Sequence, residues 1–547
     1  MHQTVLSVAF LIALEPSLCA TGLDVQGVFD VADKAQLFID RTLVRETENV
    51  SLTLHQGKKH PENPVVKPDQ PWEGWRLELM GTVLYDEQEK HFKMWYWANG
   101  RPDYGIEAVV CYATSKEGVR WDKPLVGTLP TKNGKPTNAV TLARGGSVMK
   151  DTRDPDPTRR YKMVGWIESP NSERGYRMLI SPDGLHWTTY GKRFAHQYGK
   201  VGDVITCHWD RGRGLYVAFL KNHYQRWRGH TRRLFHTATS KDFRTWTTPV
   251  LSWKTDQLDD DTCKARLDKV RYQLDRQDNP ALMRTEYYGI GAYVAESCTI
   301  GFPWIFTINN NARYGNQEGP AEIQLAVSRD LYNWERPFRT PVIAHGKQGA
   351  WDATWQCTAS YAIRVGDEIR LYYAGGNFTH GTPQIYRLEF KDGKYVRLGN
   401  ISSAIGLVTW KLDRFVSVDG PAEGGILRTI PVKFKGSRLE INAATKGPDG
   451  RIVVEILDAA AWPIEGVRPS DRFKGDALRH VVTFRGNADV SRFEGRPISL
   501  RFHLKNAELY SFAFRQPQQE ARAMRKGKPV AGICCKHVTI SNAEPRE

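Results

Sequence analysis

CYATSKEGVRW (111–121), RMLISPDGLHW (177–187), FHTATSKDFRTW (235–246) and QLAVSRDLYNW (324–334) spell one pattern four times. Each is an apolar strand, then Ser, then an acidic or Gly turn, then a Trp that opens the next strand. Their Trp residues, 121, 187, 246 and 334, lie 66, 59 and 88 residues apart, room for a four-stranded unit each time. Upstream of each stands a hairpin pattern, over 81–97, 147–166, 203–220 and 287–306. A fifth hairpin, over 358–376, is followed by PQIYRLEF and GLVTWKLDRF (406–415). Repetition at this period is the mark of radial or stacked folds and outranks any single-strand reading. The expectation is an all-β chain: a five-bladed β-propeller over 75–420, in which repetition limits exposed sheet edges. The competing reading is a β-sandwich whose turns coincide by chance, and four matched Trp motifs argue against it.

Outside the repeat the texture changes. RIVVEILDA, LRHVVTF and ISLRFHLKNAELYSFAF alternate between Gly, Pro and Asp turns without the Ser-turn-Trp pattern, which predicts a C-terminal β-sandwich over 421–515. Residues 21–74 read as an N-terminal segment packing on the propeller, and 516–547 as a loosely attached basic tail. Residues 1–20 hold a ten-residue apolar run, Val5 to Leu14, then small residues. The run is too short for a bilayer and suits a signal peptide, so a secreted or periplasmic location is expected, with no membrane span. Of the eight cysteines, the seven beyond residue 20 are scattered and odd in number, which predicts neither a disulfide framework nor a zinc site. The formal charge of +16 over 547 residues is a mild basic bias. Without an arginine-rich run or a nucleic-acid module it points to an acidic or sulfated glycan rather than to nucleic acid.

A longer likeness runs through the chain. LFIDRTLVRETENVSLTLHQGKKHPENPVVKPDQPWEGW (37–75), GTVLYDEQEKHFKMWYW (81–97), RRYKMVGW, SPDGLHW, GAWDATW, GNFTHG, LDRFVSVDG and LRFHLKNAELYSF carry it. With these the chain resembles secreted bacterial proteins similar to the N-terminal domain of glycoside hydrolase family 32, over residues 35 to about 515. The resemblance implies kinship with the five-bladed propellers of families 32, 43 and 68, whose central funnel hydrolyses glycosidic bonds, often of furanosides. It implies no organic cofactor, and propellers of this kind sometimes hold a structural cation in the channel. Family 32 carries a WMNDPNG-like nucleophile motif, an RDP motif and an ECP motif, and the expectation is that none of the three is in place here. Its catalytic set therefore does not transfer by motif.

Glycoside hydrolysis needs two carboxyl groups flanking the scissile bond. The innermost strand of each blade turns its first residues to the funnel, so acidic residues there are the candidates. They are Glu78, Asp203, Glu286 and Asp352 as catalytic groups, with Asp203, just before a β-branched run, the most isolated. Trp72-Glu73 and Trp351-Asp352 occupy similar places before blades one and five, and a Trp beside a carboxylate suits a sugar's C–H face and hydroxyls. Arg76, Arg313 and His380 are further substrate-binding candidates, the arginines for an acidic group on the substrate. No His, Asp and Glu spacing marks a metal site. The turn residues Asp183, Asp242 and Asp330 read as structural, bonding their own backbone.

Three functions fit: a hydrolase with paired carboxylates, a glycan-binding propeller that has lost the chemistry, and a sialidase-like enzyme. The last rests on the S-x-D-G-x-x-W turn and lacks a motif for the tyrosine nucleophile and arginine cluster. The expected partner in each case is an oligo- or polysaccharide.

Overall fold

The structure, a computed structural model, describes residues 27–167, 175–191, 202–274, 276–312, 316–381, 388–391, 394–397, 401 and 403–517. The expected signal peptide, nearly all of the expected tail, Arg313 and most of PQIYRLEF lie outside them. No described helix is long and apolar enough to cross a membrane.

The first three repeats fold as the separate four-stranded units expected, whereas the fourth and fifth share one sheet. Three antiparallel four-stranded sheets follow one another. They run from Leu77–Asp86 to Ala139–Thr141, from Arg144–Lys150 to Thr188–Thr189, and from Ile205–Asp210 to Val250–Trp253. A nine-stranded sheet follows, containing the strand Arg284–Val294 with its hairpin partner and the strands Trp355–Thr358, Glu368–Gly376 and Ser403–Lys411. The first strands meet in cyclic order. Leu77–Asp86 neighbours Arg144–Lys150, which neighbours Ile205–Asp210, which neighbours Arg284–Val294; Trp355–Thr358 neighbours both Arg284–Val294 and Leu77–Asp86.

The Ser-turn-Trp repeats share one geometry. Ser115, Ser181 and Ser328 accept from the backbone N–H three residues on, each at 2.8 Å. Asp183, Asp242 and Asp330 accept from the two N–H groups beyond, between 2.7 and 2.9 Å. The residue three after the Ser has a left-handed backbone in all four: Gly118, Gly184, Phe243 and Leu331, with φ of 82°, 81°, 63° and 74°. Glycine takes that conformation freely; Phe243 and Leu331 are held in it by full burial. The Trp residues pack between sheets, Trp334 stacking on Trp253 at 5.1 Å.

Two findings correct the expected boundaries. The described part of the N-terminal segment, from residue 27, does not simply pack on the repeat. Phe29–Ala32, Gln36–Leu37, Val44–Glu48 and Ser51–Leu54 join two six-stranded C-terminal sheets, and Lys58–Lys59 adds the last strand beside Ser403–Lys411. Val416–Gly420, expected in the repeat, already belongs to one of those sheets. Such strands are short edges: Val44–Glu48 is mostly exposed and carries no alternation to betray it. The two C-terminal sheets share one core, with Phe434 stacked on Phe514 and Phe38 set edge-on to Phe502. The long interval before Trp334 holds two short helices, Gln257–Asp261 and Cys263–Lys269, absent from the sequence reading. The first is closed by a capping box between Asp256 and Asp259. The five described cysteines are buried free thiols.

Candidate functional site

A cavity of about 550 Å³ opens among the third and fourth repeats. Strand alternation supplies one wall: Arg284, Glu286 and Tyr288 lie two apart on one strand and share its cavity face. Asp203 is placed by the entry to the neighbouring sheet, where Gly202 N–H donates to the Lys221 carbonyl and Lys221 N–H to the Val204 carbonyl. That pairing sets the two side chains together. Asp203 Oδ1 accepts from Lys221 Nζ at 2.5 Å, and the Arg144 guanidinium lies 4.0 Å from its other oxygen. Burial pushes the Asp203 carboxyl up, but Lys221 and Arg144 outweigh it and hold it well below the usual carboxylate range. Asp203 is therefore an anion at neutral pH, suited to act as base or nucleophile. Glu286 is held by two arginines. Its Oε2 accepts from the Arg233 backbone N–H and guanidinium, and its Oε1 from Arg284 Nε at 2.7 Å. Arg233 also donates to Gln317 Oε1 at 2.9 Å.

Tyr288 ties these groups to His380, in the loop after Glu368–Gly376. The Lys221 ammonium lies 3.9 Å from its ring centroid and the Arg233 guanidinium 5.4 Å. Burial first, then the Asp203 charge, pushes its hydroxyl well above the ordinary value, with Glu78 adding to the rise, so it stays a donor. It donates to His380 Nε2 at 3.1 Å, because His380 Nδ1 must carry the proton that reaches the Gln317 carbonyl at 2.8 Å. Burial, then Arg233, drives the His380 pKa down to about 3 and keeps the ring neutral. Glu78 accepts from the Arg76 guanidinium, which lies over the rings of Phe378 and Trp97 at 5.0 and 5.7 Å. Asp203, Glu286 and Glu78 thus come from three different sheets, each with a cation of its own.

The two Trp-carboxylate pairs are corrected. Trp72 is buried and donates its indole N–H to Asn138 Oδ1 at 2.8 Å. Glu73, with no exposed surface, accepts from the backbones of Asp69 and Gln70, from Tyr96 and from Lys123. Asp352 accepts from Lys59 Nζ at 2.5 Å and Tyr373 Oη at 2.7 Å, locking the strand from the N-terminal region onto the fifth unit. Trp351 packs on Tyr373 and against Gly375 and Gly406. None of the four lines the cavity. Arg153-Asp154-Pro155 does spell the RDP motif of family 32. It stands in the turn after Arg144–Lys150, where Asp154 pairs with Arg159 and Lys162 rather than facing the cavity.

Lys221, Arg233, Tyr288 and Trp166 also line the cavity and were missed. Period-two spacing in RTEYYG was the available signal for Tyr288. For Lys221 it was a lysine closing the apolar run LYVAFL, in the middle of the strand Leu215–Trp227. Among the described residues, His55, Asp419 and Glu508 are the one group close enough to hold a metal ion. Their atoms already serve protein partners, namely Ser417, Thr53, Lys446 and Tyr510.

No protein-family model and no curated protein matches the chain. Solved structures do. An N-acetylgalactosamine deacetylase from F. plautii, in complex with blood group B trisaccharide, is 14% identical. It covers 67% of this chain and 96% of its own, with a TM-score of 0.37. A glycosyl hydrolase from Bacteroides ovatus is 14% identical, over 66% and 95%, at 0.38. A thermostable family-43 glycoside hydrolase is 11% identical, over 62% and 96%, at 0.38. Likeness of this size carries no argument; the side chains of the cavity must.

Proposed function

We propose that this protein is a secreted glycoside hydrolase acting on an oligo- or polysaccharide in the funnel of a five-bladed β-propeller, braced by a C-terminal β-sandwich. The cyclic order of five first strands supports the propeller, and the shared core of the two six-stranded sheets supports the sandwich. The resemblance to family 32 agrees with both. One observation carries the function: two carboxylates from neighbouring sheets, Asp203 and Glu286, line one polar cavity with an indole, Trp166, beside them. Amide, guanidinium and carboxylate groups match sugar hydroxyls, and the indole face matches sugar C–H groups. Asp203, held ionised, is the nucleophile or base, and Glu286 is the second carboxyl group of the pair; Glu78, Arg76 and His380 stand behind the cavity lining.

The test is hydrolysis of a glycan panel by wild type, Asp203→Asn and Glu286→Gln. Wild type should release sugar, and each variant should fall by roughly 10²–10⁴ in kcat, the worth of a positioned acid or base. Unchanged hydrolysis in both variants would sink the assignment. The second reading, a glycan-binding protein without chemistry, is favoured by the three N–H donors already held by Glu286. Binding without release in wild type would select it.

A further inference from the structure

Lys221 is buried to 2% side-chain exposure, yet its ammonium makes a single hydrogen bond, to Asp203. Its other two N–H donors have no acceptor among the described residues. Arg284, 7% exposed, uses Nε on Glu286 and Nη1 on the Leu282 carbonyl, which leaves Nη2 without an acceptor among the described residues. Both side chains line the cavity. Among the described residues, the charges that line it do not balance. Lys221, Arg233 and Arg284 face Asp203 and Glu286, three positive against two negative, and Arg144 stands 4.0 Å from Asp203. His230, also on the wall, adds nothing: burial, then Arg284, lowers its pKa and keeps it neutral. An uncompensated cation in a largely buried site is costly unless an anion meets it, and buried donors without acceptors are costly too.

We propose that the cavity takes its sugar through an anionic substituent, a carboxylate or sulfate group whose oxygens accept from Lys221 Nζ and Arg284 Nη2. This rests on the glycan reading above and narrows it from any polysaccharide to an acidic one. The basic bias of the whole chain makes the same suggestion only diffusely; here it has an address. The same donors would also accept a free oxyanion such as inorganic phosphate, so the test separates the two sources.

Calorimetric titrations would use oligosaccharides matched except for the anion, an oligogalacturonide against its methyl ester and a sulfated oligosaccharide against its desulfated form, with inorganic phosphate alone beside them. At least one anionic member should bind about tenfold more tightly than its neutral partner, the worth of one charge-assisted hydrogen bond. Lys221→Gln and Arg284→Gln should each bring the ratio of anionic to neutral affinity down to about one, whatever they do to the affinities themselves. Lys221→Arg keeps the charge and should keep the preference, and a thermal melt of each variant confirms that it is folded. Equal binding of both members of every pair, or equal weakening of both by the variants, overturns the proposal alone. Saturable phosphate binding with no preference among the sugars assigns the donors to free phosphate and also overturns it. Failure of every oligosaccharide to bind overturns the glycan reading itself.

Discussion

Glu73 and Asp203 both looked, in sequence, like carboxylates at the mouth of a funnel, and they end in opposite circumstances. Glu73 has no exposed surface, and its oxygens are filled by two backbone N–H groups, a tyrosine and a lysine. Asp203 keeps 32% of its side chain exposed, on the wall of a cavity, with one oxygen engaged by a lysine that has donors to spare. Glu286 lies between the two kinds: it lines the cavity, yet it is buried and already holds three N–H donors, much as Asp352 is held by Lys59 and Tyr373. A carboxylate whose acceptor sites are filled by its own fold serves architecture; one set against open volume is available to a substrate.

The contrast breaks most sharply at turnover. Asp203→Asn should cost roughly 10²–10⁴ in kcat, while Asp352→Asn should leave kcat within about twofold and lower the melting temperature instead. A turnover loss on Asp352→Asn with an unchanged melt would return that residue to the site. Next in size is Glu73→Gln, which leaves Lys123 with the exposed Asp69 as its remaining carboxylate partner. Denaturant unfolding should show a loss of about 1–3 kcal/mol, as for a charge-assisted hydrogen bond lost from a buried site, with glycan binding unaltered in the folded fraction.

Asp413 offers a third kind of carboxylate, half-buried without a cation in bonding distance among the described residues. Burial, then Glu296, pushes its pKa up to about 6. The folded state therefore binds a proton more tightly than the unfolded chain does. The stability this confers is complete below about pH 4 and is lost as pH rises through 6. Asp413→Asn should accordingly stabilise the protein by about 1–2 kcal/mol at pH 7 and by nothing near pH 3.5. Melting curves of the pair across that window check it, and equal curves at pH 7 would contradict it. The smallest effect belongs to the turn carboxylates. Asp183→Ala removes two backbone acceptances at 2.8 and 2.9 Å and should cost about 0.5–2 kcal/mol, with catalysis untouched.

Much of the fold was legible because its signals are local. Ser181, Asp183 and Gly184 make their turn from their own neighbours, so the repeat reads directly from the letters. The strands given by Phe29–Ala32 and Lys58–Lys59 to distant sheets were not legible, since their partners at Val432–Phe434 and Ser403–Lys411 lie hundreds of residues away. The site divides in the same way. Asp203 and Glu286 could be found by position at strand starts. Lys221 and Tyr288 become visible only when two sheets meet, and the saturation of Glu73 and Asp352 depends on Lys123 and Lys59, which no local pattern assigns to them.

The most direct test of the central claim is a crystal structure of Asp203→Asn bound to the oligosaccharide that wild type cleaves or binds best. The account predicts sugar density between residue 203 and Glu286, with an anionic group against Lys221 and Arg284. Density seated instead at Trp72-Glu73 or Trp351-Asp352, with the cavity empty, would contradict it.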